Sequence, residues 1–342
     1  MEQLLGISLC MLGGVGVGVF LLPLKYSKEW AWENSWLLGA LFMYLLLPLA
    51  EAWLFVPNFV QIFRAGDPRD FWVIYFFGLV QGTGALAFTY GITLMGLSLG
   101  YSLMISLMVV TGTMVPLLLG HPDQIPTVGG ITLILGVLIL IVGVALCAKA
   151  GRLRELAAGA GAKIRNYALV IIIILYAGIS NSFFYFSFEF QKNLKAVAVT
   201  QFGVKEALWP VLNVIPLLAG MFTINVVYCL LKMAKAGTFK NYWHGTRLGV
   251  EYLLALAIGV GWFLGQGVCY TVGFTMLGSL GVPVGAAVFM GVMIVVSNAV
   301  GLKTGEWKQA EPRIMRLMYA GIILEILAVT IVGVGNHFMP GG

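Results

Sequence analysis

Charge is what this sequence has least of. Only 10% of its 342 residues are Asp, Glu, Lys or Arg, against about 25% in a soluble globular chain. So few charges cannot keep a water-facing surface of this size in solution, which excludes an ordinary soluble domain. Cysteine is scarce too. Cys10, Cys147, Cys229 and Cys269 each lie in an apolar run and none has metal-ligand spacing, so they read as small buried hydrophobes. The three histidines, His121, His244 and His337, fall in loops or at span ends. No zincin, phosphatase or Asp-rich prenyltransferase pattern is present. The short G-x-G fragments lie in apolar runs without a strand–turn–helix context, so they are not nucleotide loops. An enzyme, a metal or an organic cofactor is therefore not expected.

What the chain has is hydrophobicity, at 60%. Apolar runs recur from end to end, each long enough to cross about 30 Å of hydrocarbon at about 1.5 Å per residue. They are continuous rather than alternating, so they read as helices, which satisfy their own amides in lipid. Spans are expected at 3–24, 34–56, 71–94, 97–119, 127–148, 167–190, 206–231, 250–276, 281–301 and 315–337. Met1-Glu2-Gln3 offers no basic n-region, and the first Lys is Lys25, so the first run is expected to be a retained span.

The net charge of +6 comes from short loops, which points to membrane orientation and away from nucleic acid. The side opposite the termini would carry fifteen Lys and Arg, among them Lys25, Lys28, Arg154, Lys163, Lys232 and Lys303; the termini side would carry five: Arg64, Arg69, Lys192, Lys195 and Lys205. The richer side belongs in the cytoplasm. Both termini are then expected outside a bacterial inner membrane, on the periplasmic face.

The stretch from Tyr90 to Gly120 resembles that from Tyr270 to Gly301: Tyr, a Gly-flanked break, then Gly100 or Gly281 ahead of a further span. Such a repeat unit holds five spans, and an odd number inverts the second copy. The expected fold is an all-α integral membrane protein with ten transmembrane helices as two inverted five-helix repeats: 1–150, a cytoplasmic linker at 151–165, and 166–342. That plan is typical of secondary transporters, whose substrate site lies near the midplane. Gly14/Gly18, Gly78/Gly82, Gly96/Gly100, Gly261/Gly265 and Gly281/Gly285 are small-xxx-small pairs that let helices approach closely. Their first reading is static packing.

Acids inside apolar spans are costly and mark function by default. Glu51 is the first choice for a proton-coupling group, followed by Glu206 and Glu325; Glu189 lies near a span end. Polar and aromatic residues at helical spacing suggest faces: Asn181, Tyr185 and Glu189; Glu206, Trp209 and Asn213; Trp262, Gln266 and Tyr270; and Gln81 with Phe88 seven residues on. An aromatic ring beside an amide suits a sugar, covering its C–H face while the amide meets its hydroxyls. The same set would serve another small polar solute, or helix packing alone.

Residues 20–59, FLLPLKYSKEWAWENSWLLGALFMYLLLPLAEAWLFVPNF, resemble the bacterial L-rhamnose–proton symporter family of the drug/metabolite transporter superfamily. The resemblance rests on Phe20, Pro23, Lys25, Lys28, Trp30, Trp32, Glu33, Trp36, Pro48 and Pro57-Asn58-Phe59. It continues through Gly78, Gly82, Gly84, Gly96, Ser98, Gly100, Pro116, Trp262, Gln266, Tyr270 and Glu306-Trp307. It implies ten spans and sugar uptake coupled to protons, with a small sugar, protons and the lipid bilayer as partners. An exporter or exchanger of metabolites or drugs on the same scaffold stays open at this point, and so does a homodimer. Within the signature block, Trp30, Trp32 and Trp36 are expected in the headgroup zone as an aromatic girdle.

Overall fold

The computed structural model of the protein describes residues 2–120, 122–157, 167–190, 192–205, 208–277 and 285–338. All regular structure among the described residues is helical. The helices are α1 (Glu2–Val19), α2 (Trp32–Leu41), α3 (Leu47–Phe55), α4 (Phe59–Ala65), α5 (Pro68–Met95), α6 (Leu97–Gly120), α7 (Val128–Ala157), α8 (Tyr167–Asn181) and α9 (Phe183–Glu189). They continue as α10 (Lys192–Ala196), α11 (Trp209–Ala236), α12 (Leu248–Trp262), α13 (Thr271–Met276), α14 (Ala287–Lys303) and α15 (Pro312–His337). Among the described residues seven helical segments are long and apolar enough to cross a membrane, and three shorter apolar helices, Leu99–Gly112, Ala168–Asn181 and Ala287–Lys303, accompany them.

Several spans depart from the straight helices expected. Pro48 has no N–H to give, so the ladder slips ahead of it into a π turn over Phe42–Leu46, and the Leu47 N–H reaches back five residues to the Phe42 carbonyl. The expected eighth span carries a second π segment, Phe263–Tyr270, around Gly265 and Gly267, residues of low helix propensity. The expected sixth span is interrupted at Ser182 between α8 and α9. The fifth runs on to Ala157, because KAGRLRELA is rich in strong helix formers. The start of the expected 151–165 linker is thus helical, and 158–165 lies outside the described residues. Gly96, at φ +91°, turns the chain between α5 and α6 in one residue; a side chain would resist that conformation. Gly281 of the repeat signature lies outside the described residues.

The chain forms two compact units, made of 1–19, 86–182 and 268–342, and of 20–85 and 183–267. In the first, α1 packs on α14 with Gly14 and Gly18 against Phe289, Val292 and Val296, and α8 packs on α6 with Gly178 against Met104 and Leu107. The pair α7 and α15 is the most intimate, with Gly136 at Val332, Gly143 at Glu325, Gly321 at Cys147 and Gly335 at Leu133. Tyr101 donates its hydroxyl to the Val17 carbonyl at 2.7 Å, satisfying an acceptor that the end of α1 leaves open. At one end of this unit the Arg154 guanidinium donates to the Met95 carbonyl at 2.9 Å and lies 4.8 Å from the Trp307 ring centre. A residue counted as a loop charge is therefore a buried cap for α5.

In the second unit α2 packs on α12, Gly39 against Ile258 and Gly259 against Phe42. The N-terminal half of α5 packs on α11, Gly78 and Gly82 against Leu217, Gly220 and Met221. A side chain at Gly78 would run into the Leu217 backbone. Ala52, Val56, Ile62, Leu194 and Leu212 form an apolar core beneath α4.

Candidate functional site

The polar and aromatic candidates gather most densely in the second unit. The glycine contacts between α2 and α12 bring their π segments to the same region. Tyr44, in the turn that Pro48 distorts, meets Trp262 edge to face, with ring centres 5.4 Å apart and planes at 82°. Tyr44 is buried, while Trp262 and the neighbouring Gln266 keep part of their surface open. Gln81 on α5 is buried. Asn213 on α11 is fully buried and donates its Nδ2–H to Ser187 Oγ at 2.8 Å; its Oδ1 has no hydrogen-bond partner among the described residues. Trp209 carries the Lys195 ammonium 5.7 Å from its ring centre, so a cation already occupies that ring. These are aromatic planes and amides, groups that can cover C–H faces and exchange hydrogen bonds with hydroxyls.

The faces read from the sequence are only partly continuous. Asn181 ends α8 in the first unit, donating to the Ala177 carbonyl at 2.7 Å. Tyr185 follows the break at Ser182 and belongs to the second unit; the side chains of Tyr185 and Glu189 lie outside the described residues. Trp262, Gln266 and Tyr270 do not keep a four-residue register, because the π segment carries five-residue hydrogen bonds. Tyr270 packs in the first unit on Phe289, 4.3 Å between ring centres. Phe88 likewise meets Tyr101, at 5.0 Å. Of the acids, Glu51 is half-buried on α3, Glu325 is fully buried on α15, and Glu206 lies outside the described residues.

The tryptophan girdle requires correction. Trp36 is 1% exposed and Trp30 6%, so neither ring faces a headgroup. Trp36 donates its indole N–H to Asn225 Oδ1 at 2.6 Å, and Trp30 donates to the Asn241 carbonyl at 2.9 Å. Trp32 stacks on Trp36 with the Lys232 ammonium 5.0 Å from its ring centre. Lys232 also pairs with the buried Glu33 at 3.3 Å, and Thr238 donates to the same carboxylate at 3.0 Å. The signature block is thus an internal polar lock among α2, α11 and the loop beyond α11. A buried indole or carboxylate needs a partner, and the partners, Asn225 and Lys232, lie about two hundred positions away, where no local pattern announces them. Tyr44 was also missed; its signal was Pro48, four residues on, which breaks the regular ladder at that turn.

The many long apolar helices and the glycine-mediated contacts between them, among the described residues, are those of a multi-pass membrane protein. A family model described as L-rhamnose-proton symport protein matches residues 2–337. The chain belongs to that family. It is 28% identical over 340 residues to an L-rhamnose-proton symporter of Pectobacterium carotovorum, covering 97% of this chain and 98% of the relative. It is 28% identical over 343 residues to one of Yersinia pestis, with the same coverage. No protein of solved structure matches.

Proposed function

We propose that the protein imports L-rhamnose or a related sugar together with protons, by alternating access across the bacterial inner membrane. The observation that carries this reading is the family match over residues 2–337. The Tyr44–Trp262 pair, with Gln266 half-open beside it, supports a sugar-sized neutral solute. Gln81, Asn213, Trp209 and Tyr185 are the further proposed binding residues of the second unit, Asn181 and Tyr270 those of the first, and Glu51, Glu206 and Glu325 are the acids from which the coupling group is drawn. The proton gradient is the proposed energy source.

The helix partners inside each unit support ten spans in two inverted repeats, 1–150 and 166–342 joined through 151–165. If the first span corresponds to the sixth and the fourth to the ninth, α1 on α14 is the same contact as α8 on α6. If the second corresponds to the seventh and the third to the eighth, α2 on α12 is the same contact as α11 on α5. The fifth and tenth, α7 and α15, pair with each other. Inverted repeats of this kind give two states of opposite access, with both termini proposed on the periplasmic side.

Purified protein reconstituted in proteoliposomes tests the reading. Labelled L-rhamnose should accumulate above its external concentration when the lumen is more alkaline than the medium, and should only equilibrate without a gradient. Gradient-independent equilibration in both conditions would replace symport with facilitated exchange.

A further inference from the structure

Glu325 is fully buried in the middle of α15. It sits where α15 crosses α7 at glycine contacts, and a Cβ on Gly143 would lie 3.0 Å from its Cγ. Neither carboxyl oxygen makes a hydrogen bond of full geometry among the described residues. Two groups face it: the Cys147 thiol from α7 and the Ser102 hydroxyl from α6. No Lys, Arg, His or second carboxylate among the described residues of α6, α7, α14 or α15 acts on it. A carboxylate held this deep without a counter-ion is expensive, whereas a neutral carboxylic acid costs far less.

The second observation is the chain of donors behind Ser102. Asn298 on α14 is buried and donates its Nδ2–H to Ser102 Oγ at 3.1 Å and to the Ile294 carbonyl at 2.8 Å. Having accepted from Asn298, the Ser102 hydroxyl has its own hydrogen to give, and the Glu325 carboxyl faces it. The site therefore has a neutral form that needs no counter-ion and an ionised form for which an oriented donor stands ready. Glu51 differs: it is half-buried on α3, followed by the exposed Trp53, Leu54 and Phe55.

Resting on the symport reading above, we infer that Glu325 is the acid that takes up the transported proton and gives it up again, with Ser102 and Asn298 as its positioning residues. Proton uptake converts the carboxylate to the acid; release on the opposite side restores it, and no other bond changes. Four helices meet at this site, so the change in charge acts at once on α6, α7, α14 and α15.

The test uses wild type, Glu325→Gln, Glu325→Asp, Ser102→Ala and Glu51→Gln in proteoliposomes with labelled L-rhamnose. Gradient-driven accumulation and gradient-free counterflow are measured on each. Glu325→Gln should lose accumulation and keep counterflow, Glu325→Asp should restore accumulation in part, and Glu51→Gln should accumulate. Ser102→Ala should shift the pH at which counterflow is half-maximal, which a merely structural role would not do. Accumulation intact in Glu325→Gln overturns the assignment, as does its loss in Glu51→Gln alone. If Glu325→Gln fails to fold, an unshifted pH profile in Ser102→Ala overturns it instead. A wild type without gradient-driven uptake would instead show that the symport reading has failed, and the assignment with it.

Discussion

Glu251 holds the backbone of Glu29, and Glu29 in turn holds that of Arg247: the Glu251 carboxylate accepts the Glu29 N–H at 3.0 Å, and the Glu29 carboxylate accepts the Arg247 N–H at 2.9 Å. Arg247 stands at the start of α12 and Glu251 in its first turn, so Glu29, more than two hundred residues away in sequence, satisfies an N–H that the helix start leaves open. Thr246 also donates to Glu29, and Ser27 and the Lys28 N–H donate to Glu251. The loop before α2 is thereby stapled to the head of α12.

The Thr246 hydroxyl, then the Arg247 N–H, hold the Glu29 carboxyl below its ordinary value of 4.5. A group whose folded value is depressed contributes stability above its unfolded value and loses it as pH falls through the folded one. Glu29→Gln should therefore melt lower than wild type at neutral pH. The gap should hold down to about the ordinary carboxylate range and close below it. Parallel melting curves in detergent against pH measure this; a gap that stays constant into strong acid would mean the carboxylate charge is irrelevant.

Trp262→Ala should weaken L-rhamnose binding by about tenfold, since an aromatic contact is worth about 0.5–1.5 kcal/mol beyond its area. Gln266→Ala should weaken it comparably, and Tyr44→Ala should do so by releasing the Trp262 ring. Titration calorimetry on protein of unchanged melting temperature reads the effect. Wild-type affinity in all three would make this cluster packing rather than a binding face.

Trp36→Phe strands Asn225 Oδ1 in a fully buried site and should cost about 1–2 kcal/mol. Asn225→Leu strands the indole N–H instead. The double variant should be less destabilised than the sum of the singles, because neither orphan remains. Unfolding in mixed micelles gives the cycle; strict additivity would show that the 2.6 Å hydrogen bond contributes nothing.

A single cysteine introduced at Gly342, in a background without the four native cysteines, should react with a membrane-impermeant maleimide added to intact cells, and one at Lys163 should not. The reverse pattern would invert the proposed orientation.

The helices were legible because hydrophobic length alone dictates them in lipid, and Pro68, Pro312 and Gly237 mark ends that local chemistry sets. The interior of the spans was less legible. The π turn ahead of Pro48, the π segment over Phe263–Tyr270 and the break at Ser182 each rotate the helix beyond them, so faces drawn at four-residue spacing did not survive intact. The candidate site was legible in residue type and not in grouping. Trp262 announced itself; Tyr44, its neighbour in space, did not. The tryptophans of the signature block looked like interfacial anchors because their partners, Asn225, Asn241 and Lys232, belong to distant sequence, and only packing reveals them.

The interleaving of the two units has a consequence for synthesis. Helix α1 leaves the ribosome long before the surface that Gly14 and Gly18 pack against, α14, is made. Helix α2 likewise waits for α12. Neither unit can close while the chain is half complete, so the early helices must persist in the bilayer as individually stable segments held by their own hydrophobic length. A gene cut within 158–166 would yield two fragments with no finished packing unit in either. Those fragments would regain a folded state by finding one another in the membrane, since each unit draws helices from both.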